Sequence, residues 1–355
     1  MKKKMIIVIS LIIALLGVLV GLYFYGLTSA SKSSETVTFR VNAGTGKLDI
    51  ANQLKDANLI KSKISVSIYL ALHRNLNLQA GEYEVNRNMD AKEILNLFHE
   101  GKVKKNDNTY SLTFVEGKRL PYYASIIADK TGKTSEEVIN MLADTEYLKS
   151  LIAKYWFLTD DILKEGIYYP LEGYLFASTY EIYNESDAKD IITRMLDGMN
   201  QVLTPYKEQI EASKYNIHEI ITMASIVEVE GITSEDRAGV AGVFYNRLAS
   251  NWSLGSDATT YYAAKVNFGS RDLYQSEIYA VNPYNTRAAN MAGKLPIGPI
   301  CSPSKDSILA ALNPEKHDYY YFVADKTGKT YFTKTEREHT AKVAELRSAG
   351  LWYEY

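Results

Sequence analysis

Glu228 and Glu230 close a run, Asn216 to Glu230, whose other residues are mostly apolar. Asn216 followed three residues later by Glu219 is a capping-box pattern and marks a helix start. At about 100° per residue, Glu228 falls within about 20° of Ile217 and Ile221, on the stripe that should face the core. Glu230 falls within about 20° of Glu219, on the side where a charge is expected. A carboxyl group on an apolar stripe must be paired, hydrogen-bonded or protonated, and desolvation moves its pKa toward the range a general acid needs. Position therefore nominates Glu228 for acid–base chemistry. A buried ion pair with Arg237 or Arg247 of the following helix accounts for that position equally well. Ser225 flanks the same face, where it would bond a substrate or, more simply, its own helix backbone.

Other chemistries fit poorly. Ser302-Pro-Ser-Lys305 matches SxxK and Lys326-Thr-Gly328 matches KTG, two marks of penicillin-recognising serine enzymes. The two lie too close together for the helical domain such folds place between them, no Ser-Asp-Asn occurs, and Lys130-Thr-Gly132 repeats the tripeptide. Gly44-Thr-Gly46-Lys47 lacks the first glycine of a phosphate loop, since Val41 stands there. One cysteine, Cys301, forms no intramolecular disulfide and reads as a small apolar filler; neither a CxxC nor an HxxxH pair suggests zinc, and no cofactor is implied. Forty basic and 42 acidic side chains leave a charge of -2, without the basic excess that nucleic acid requires. The 28 tyrosines are a surplus that suits sugar-binding grooves as well as cores, with Tyr261, Tyr262 and Tyr284 the nearest candidates for ring stacking.

The elements that must position these residues begin at a membrane. After Lys2-Lys3-Lys4, an uncharged run from Met5 to Leu27 is long enough to span a hydrocarbon layer. The lysines put residues 1–4 in the cytoplasm and the body outside, and the run is too long for a cleaved signal peptide. Without ATP there, wall polymers, lipids or peptides are the expected substrates. Residues 28–36 read as a linker. Residues 37–104 read as a small strand, helix, helix, strand module with a further helix at Ala91 to His99, turning at Ala43 to Gly46. A fainter echo follows, from Val115-Glu116-Gly117 into a helix at Tyr123 to Ala128. Residues 105–355 are helix-rich, with helices expected over 135–153, 187–203, 216–230, 234–250 and 335–348, and a strand hairpin over 319–324 and 329–333 turning at Asp325 to Gly328. The class is α+β: a membrane-anchored ectodomain with a small N-terminal module and a mixed, helix-rich larger domain.

The motifs around Glu228 resemble the YceG/MltG family of endolytic murein transglycosylases. They are Ala224-Ser-Ile-Val-Glu228-Val-Glu230, Arg237 through Asn246-Arg247-Leu248, and Leu254-Gly-Ser-Asp257. Pro283-Tyr284-Asn285-Thr286, Leu295-Pro-Ile-Gly298-Pro299-Ile300, Tyr320 to Ala324, and Leu171-Glu172-Gly173 through Thr179-Tyr180 follow the family's order. Arg287 stands where the family usually has Tyr, and Phe176-Ala177-Ser178 where it usually has Phe-Pro-Asp, so nothing is carried over at 287. The resemblance implies a LysM-like glycan-binding fold for the N-terminal module and a catalytic region beyond it. It implies cleavage of the MurNAc-GlcNAc β-1,4 bond within peptidoglycan strands, leaving a 1,6-anhydro-MurNAc end, with Glu228 as single general acid and base. Asp257, Tyr284, Asn285 and Thr286 would bind or orient substrate, although Asp257 is equally a turn residue after Gly255-Ser256. Penicillin-binding wall synthases are the partners the resemblance implies. The rival to an enzyme is a membrane-tethered glycan-binding scaffold in which Glu228 is only an ion-pair partner.

Overall fold

The structure is a computed structural model that describes residues 2–42, 45–73, 76–101, 108–231 and 233–352, with side chains from residue 14 onward. The chain divides into two compact units, residues 1–107 and 108–355. Both mix helices with small antiparallel sheets.

The first unit opens with helix α1 (Lys2–Leu27). Strand β1 (Thr36–Val41), helices α2 (Lys47–Asp56) and α3 (Lys63–Leu72), strand β2 (Gly81–Asn86) and helix α4 (Ala91–His99) follow. β1 and β2 pair antiparallel with Phe39 opposite Tyr83, and alternate residues Phe39, Val41, Tyr83 and Val85 point inward as a half-buried sheet requires. They pack with Ile50, Leu54, Val66, Leu70, Leu95 and Phe98, and the last turn of α1 adds Leu27. Asp90 and Glu93 close a reciprocal capping box at the start of α4. Among the described residues no helix is long and apolar enough to cross a membrane. The side chains of the expected span's first part, residues 5–13, lie outside the described residues, as do Ala43 and Gly44 of the expected turn and the boundary expected at 104.

The second unit contains β3 (Thr109–Thr113), α5 (Leu120–Thr131), α6 (Ser135–Leu142), α7 (Thr145–Lys154), β4 (Thr179–Tyr183), α8 (Ala188–Leu203), α9 (Lys207–Glu211), α10 (Ile217–Glu230) and α11 (Ser234–Ala249). It ends with α12 (Asp257–Ala263), α13 (Gln275–Ile278), α14 (Lys305–Leu312), the hairpin β5 (Tyr321–Ala324) and β6 (Thr330–Thr333), and α15 (Glu336–Ser348). The helix expected over 135–153 is two helices, because Asp144 leaves the first and its side chain accepts from the Tyr147 N–H at 2.7 Å to start a second. The echo, a strand leading through Gly into a helix, keeps its order with the strand ending earlier: β3 stops at Thr113, short of Val115, and Gly117 at φ +70 turns the chain into α5. After α6 and α7 the chain returns as β4, pairing antiparallel with β3. The β5–β6 turn is set by Asp325, which accepts from the Thr327 and Lys329 N–H groups.

α10 is the axis of this unit. Every residue from Ile217 to Val227 except Glu219 is buried, and α11, α12 and α14 pack around it. A helix covered along most of its length keeps little solvent face, here Glu219 and the exposed Val229, so a wheel that divides it into an apolar and a polar side holds only where neighbours are missing.

Candidate active site

The capping box at Asn216 and Glu219 fixes the start of α10: the Asn216 side chain accepts from the Glu219 N–H at 2.9 Å, and Glu219 accepts from the Asn216 N–H at 2.8 Å. The last turn carries the two glutamates into different surroundings. Glu228 is held by four donors. Arg237 Nη2 reaches it at 3.2 Å, the Ser304 N–H at 2.8 Å, Ser304 Oγ at 2.6 Å and Ser307 Oγ at 2.7 Å. Ser304 is the N-cap of α14, so the carboxylate also faces the positive end of that helix. All four partners donate, so the carboxyl is held in place between α10, α11 and α14. The ion pair expected as one account of Glu228 is present, with Arg237. Gly231 permits it, because a Cβ there would sit 2.7 Å from Arg237 Cγ.

Glu230 differs. It accepts from Ser256 Oγ at 2.6 Å, and burial pushes its carboxyl above the ordinary range, with the Asp257 charge adding to the push and Arg287 and Arg247 opposing it. The sequence places Glu230 on the polar side of α10. The structure corrects this, because the start of α12 covers that side and Ser256, itself buried, closes over the carboxyl. Asp257 lies beside it, paired with Arg287 at 2.7 Å.

A cleft of about 780 Å³ opens next to this turn. Val229, between the two glutamates, lies on its wall with Ala258 and Tyr262 of α12; Lys118, Arg119, Tyr122, Tyr168, Lys265 and Phe268 complete much of it. Gly117 forms part of the rim, and a Cβ there would lie 3.7 Å from Glu228 Cγ. Behind Tyr262 is Glu172, 2% exposed, which accepts from the Leu120 N–H at 2.8 Å and from the Tyr262 hydroxyl at 3.1 Å. Burial raises its carboxyl to about 7 against those bonds and the pull of Arg119.

The other sequence candidates divide between wall and scaffold. Tyr261 is half-buried and meets Phe268 edge-on at 4.9 Å, on the cleft side. Tyr284, Asn285, Thr286 and Ser225 are buried, and their polar atoms are engaged inside the protein. Asn285 Nδ2 donates to the Ile278 and Ala280 carbonyls, and its Oδ1 accepts from Thr260 Oγ1. Thr286 Oγ1 accepts from the Ser256 N–H at 3.1 Å. Tyr284 packs its ring on Tyr168 and Tyr262, each at 4.8 Å. Ser225 Oγ donates to the Thr222 carbonyl and accepts from the Ile300 N–H. These four shape the loops beneath the cleft and present no free polar group to it. Ser302 is likewise buried, its hydroxyl donating to the Leu175 carbonyl at 2.5 Å, so the SxxK match offers no accessible nucleophile. Among the described residues no cluster of three or more His, Cys, Asp or Glu side chains is arranged to hold a metal.

Residues 39–345 match the model of the YceG-like family. The chain belongs to that family. It is 35% identical over 326 residues to an endolytic murein transglycosylase of Bacillus subtilis, covering 90% of this chain and 88% of that one. It is 32% identical to one of Streptococcus pneumoniae over 89% of this chain and 59% of the relative. A crystal structure of a yceG-like protein from Listeria monocytogenes, 35% identical, superposes with a TM-score of 0.61 over 87% of this chain and all of that one.

In this YceG-like chain two residues of the site escape the sequence argument. Glu230 escapes because its desolvation comes from α12, more than 25 residues away in sequence. Glu172 had a visible signal, a carboxyl between Leu171 and Gly173 in an otherwise apolar and aromatic run. Gly173, at φ +81, keeps that segment against the loop at Pro299, whose Cβ would be 2.5 Å from an added one.

Proposed function

We propose that this YceG-like protein is an endolytic peptidoglycan transglycosylase whose acid and base is a single carboxyl group at the end of α10. The observation that carries the reading is the setting of Glu230: a carboxyl whose pKa burial raises, bonded to Ser256 and next in the chain to Val229, which lines an aromatic cleft. The names of the Bacillus and Streptococcus relatives support the substrate. Glu228, the sequence choice for this role, is read here as the carboxyl that ties α10 to α11 and α14 through Arg237, Ser304 and Ser307.

In the proposed reaction, protonated Glu230 donates to the bridging oxygen of a MurNAc-GlcNAc β-1,4 bond as the C1–O bond breaks and an oxocarbenium-like centre develops. The resulting carboxylate takes the proton from the sugar's own 6-hydroxyl while that oxygen closes on C1. The product ends in 1,6-anhydro-MurNAc, no water is consumed, and the carboxyl is regenerated. One acid suffices because the substrate supplies the nucleophile; hydrolysis would require a second carboxylate.

We further propose that residues 5–27 tether the protein to the cell membrane, with residues 1–4 cytoplasmic and the body in the wall space. Leu15, Leu16, Val18, Leu19, Val20 and Leu22 are each more than half exposed on α1, which suits a lipid environment. The unit containing residues 37–104 would then be a LysM-like glycan binder, and wall synthases of the penicillin-binding class the partners in wall assembly.

Mass spectrometry of the products from isolated peptidoglycan tests the reading. Internal fragments with anhydro ends are expected. Reducing ends would make the protein a hydrolase, and an absence of any cleavage would leave the tethered scaffold.

A further inference from the structure

Among the described residues three cations and no carboxylate line the cleft beside α10: Lys118, Arg119 and Lys265. Each sits over an aromatic face rather than against an acid. Lys118 Nζ lies 5.8 Å from the centre of the Tyr122 ring, the Arg119 guanidinium 5.0 Å from Tyr262, and Lys265 Nζ 4.4 Å from Tyr168. A ring orients a cation and leaves its charge in place, whereas a carboxylate would cancel it. Arg119 also donates to the Val266 carbonyl at 2.9 Å, again a neutral partner.

The nearest acids are occupied elsewhere. Glu172, behind the wall, accepts from Leu120 and Tyr262 and acts on Arg119, which leaves Lys118 and Lys265 as the cations free of it. Asp257 is paired with Arg287. Glu116 lies in the field of Glu228, Arg237 and Asp306, on the α14 side. The whole chain carries -2, so a positive cleft is a local arrangement and not the overflow of a basic protein. Lys265 also holds the left-handed backbone region at φ 55, where Gly or Asn would be at ease, with its N–H on the Tyr262 carbonyl at 3.0 Å. That conformation puts a long exposed cation at the mouth of the cleft.

We propose that the cleft is an anion-selecting glycan subsite in which Lys118 and Lys265 are specificity-determining residues, favouring strands that carry carboxylates over neutral strands of comparable sugars. The proposal rests on the glycan reading above and adds the charge of the preferred substrate to it. The shared chemistry is a carboxylate held close to a flat sugar ring, with the exposed Phe268 on the cleft wall available for the ring. The carboxylate comes from either the lactyl group on the sugar or a peptide attached to it.

The test is equilibrium binding to the full-length chain bearing Glu230→Gln, which prevents turnover. The ligands are a neutral N-acetylglucosamine oligomer, a strand of equal length with free lactyl carboxylates, and a peptide-bearing strand. At low salt, carboxylate-bearing strands are expected to bind about tenfold more tightly than the neutral oligomer, and high salt to erase the difference. The double change Lys118→Gln and Lys265→Gln should bring them down to the neutral oligomer while leaving that ligand's affinity alone. Both lysines are exposed, so the fold is expected to survive, as thermal unfolding would verify. An advantage with the lactyl strand assigns the contact to the sugar; an advantage only with the peptide-bearing strand assigns it to the peptide. Equal binding of all three, or an advantage that persists in the double variant, overturns the anion subsite and leaves the glycan reading standing. Failure of every strand to bind overturns the glycan reading as well.

Discussion

Ser256 Oγ donates to Glu230 Oε1 at 2.6 Å, joining the last residue of α10 to the N-cap of α12. The bond favours the ionised carboxyl, while burial, the larger effect, favours the protonated one. Ser256→Ala removes the opposing influence, so Glu230 should keep its proton to higher pH. The alkaline limb of the kcat/KM profile is expected to move to higher pH. A limb that stays in place would mean that Glu230 is not the titrating acid.

The two glutamates should separate cleanly by substitution. Glu230→Gln keeps the shape and loses the proton, so turnover should fall by at least about 100-fold with the melting temperature nearly unchanged. Glu228→Gln leaves Arg237, only 14% exposed, without its counter-charge, and should destabilise the protein by about 3–5 kcal/mol. The folded fraction of that variant should still cleave. Loss of cleavage in a well-folded Glu228→Gln, together with an active Glu230→Gln, would return the acid role to residue 228.

What the sequence revealed and concealed follows from how far each cause lies along the chain. The start of α10 was legible because both halves of its capping box are three residues apart, and the β5–β6 turn because Asp325 works on residues two and four away. The break at Asp144 was missed because apolar periodicity continues through it, and only the side-chain cap interrupts the helix. Glu228 stood out as a charge on an apolar stripe, and its partner Arg237 was among the two named. Glu230 looked ordinary because the wheel assumed solvent where α12 packs. Tyr284, Asn285 and Thr286 were legible as a motif, but only the fold shows that their polar atoms are spent on neighbouring loops.

Glu172 predicts a pH-dependent stability. Its carboxyl stands at about 7 in the folded chain against 4.5 for an ordinary one. A group whose folded pKa is raised binds its proton more tightly when folded. Its contribution is therefore complete below about pH 4.5 and is lost as pH rises through about 7. The difference corresponds to about 3 kcal/mol. Measured by denaturant unfolding, the stability of the natural protein relative to Glu172→Gln should fall by about that amount across the window and be flat above it. A constant difference at all pH values would mean that Glu172 titrates alike in the folded and unfolded chain, with its hydrogen bonds and Arg119 offsetting burial.

Asp257 and Arg287 act on Glu230 with opposite signs, since the carboxylate raises its pKa and the guanidinium lowers it. They also bind each other at 2.7 Å, so each partly shields the other's influence. Asp257→Asn should bring Glu230 down toward the ordinary carboxyl range and move the alkaline limb of kcat/KM to lower pH. Arg287→Gln removes a neighbouring cation and leaves Asp257 unneutralised, and should move the same limb upward. Both side chains are substantially exposed, so salt should shrink both shifts. Opposite displacements are difficult to produce through a general loosening of the fold, which would disturb both variants alike. Shifts of the same sign, or none in either variant, would detach this pair from the acid and remove the electrostatic link between position 287 and the chemistry.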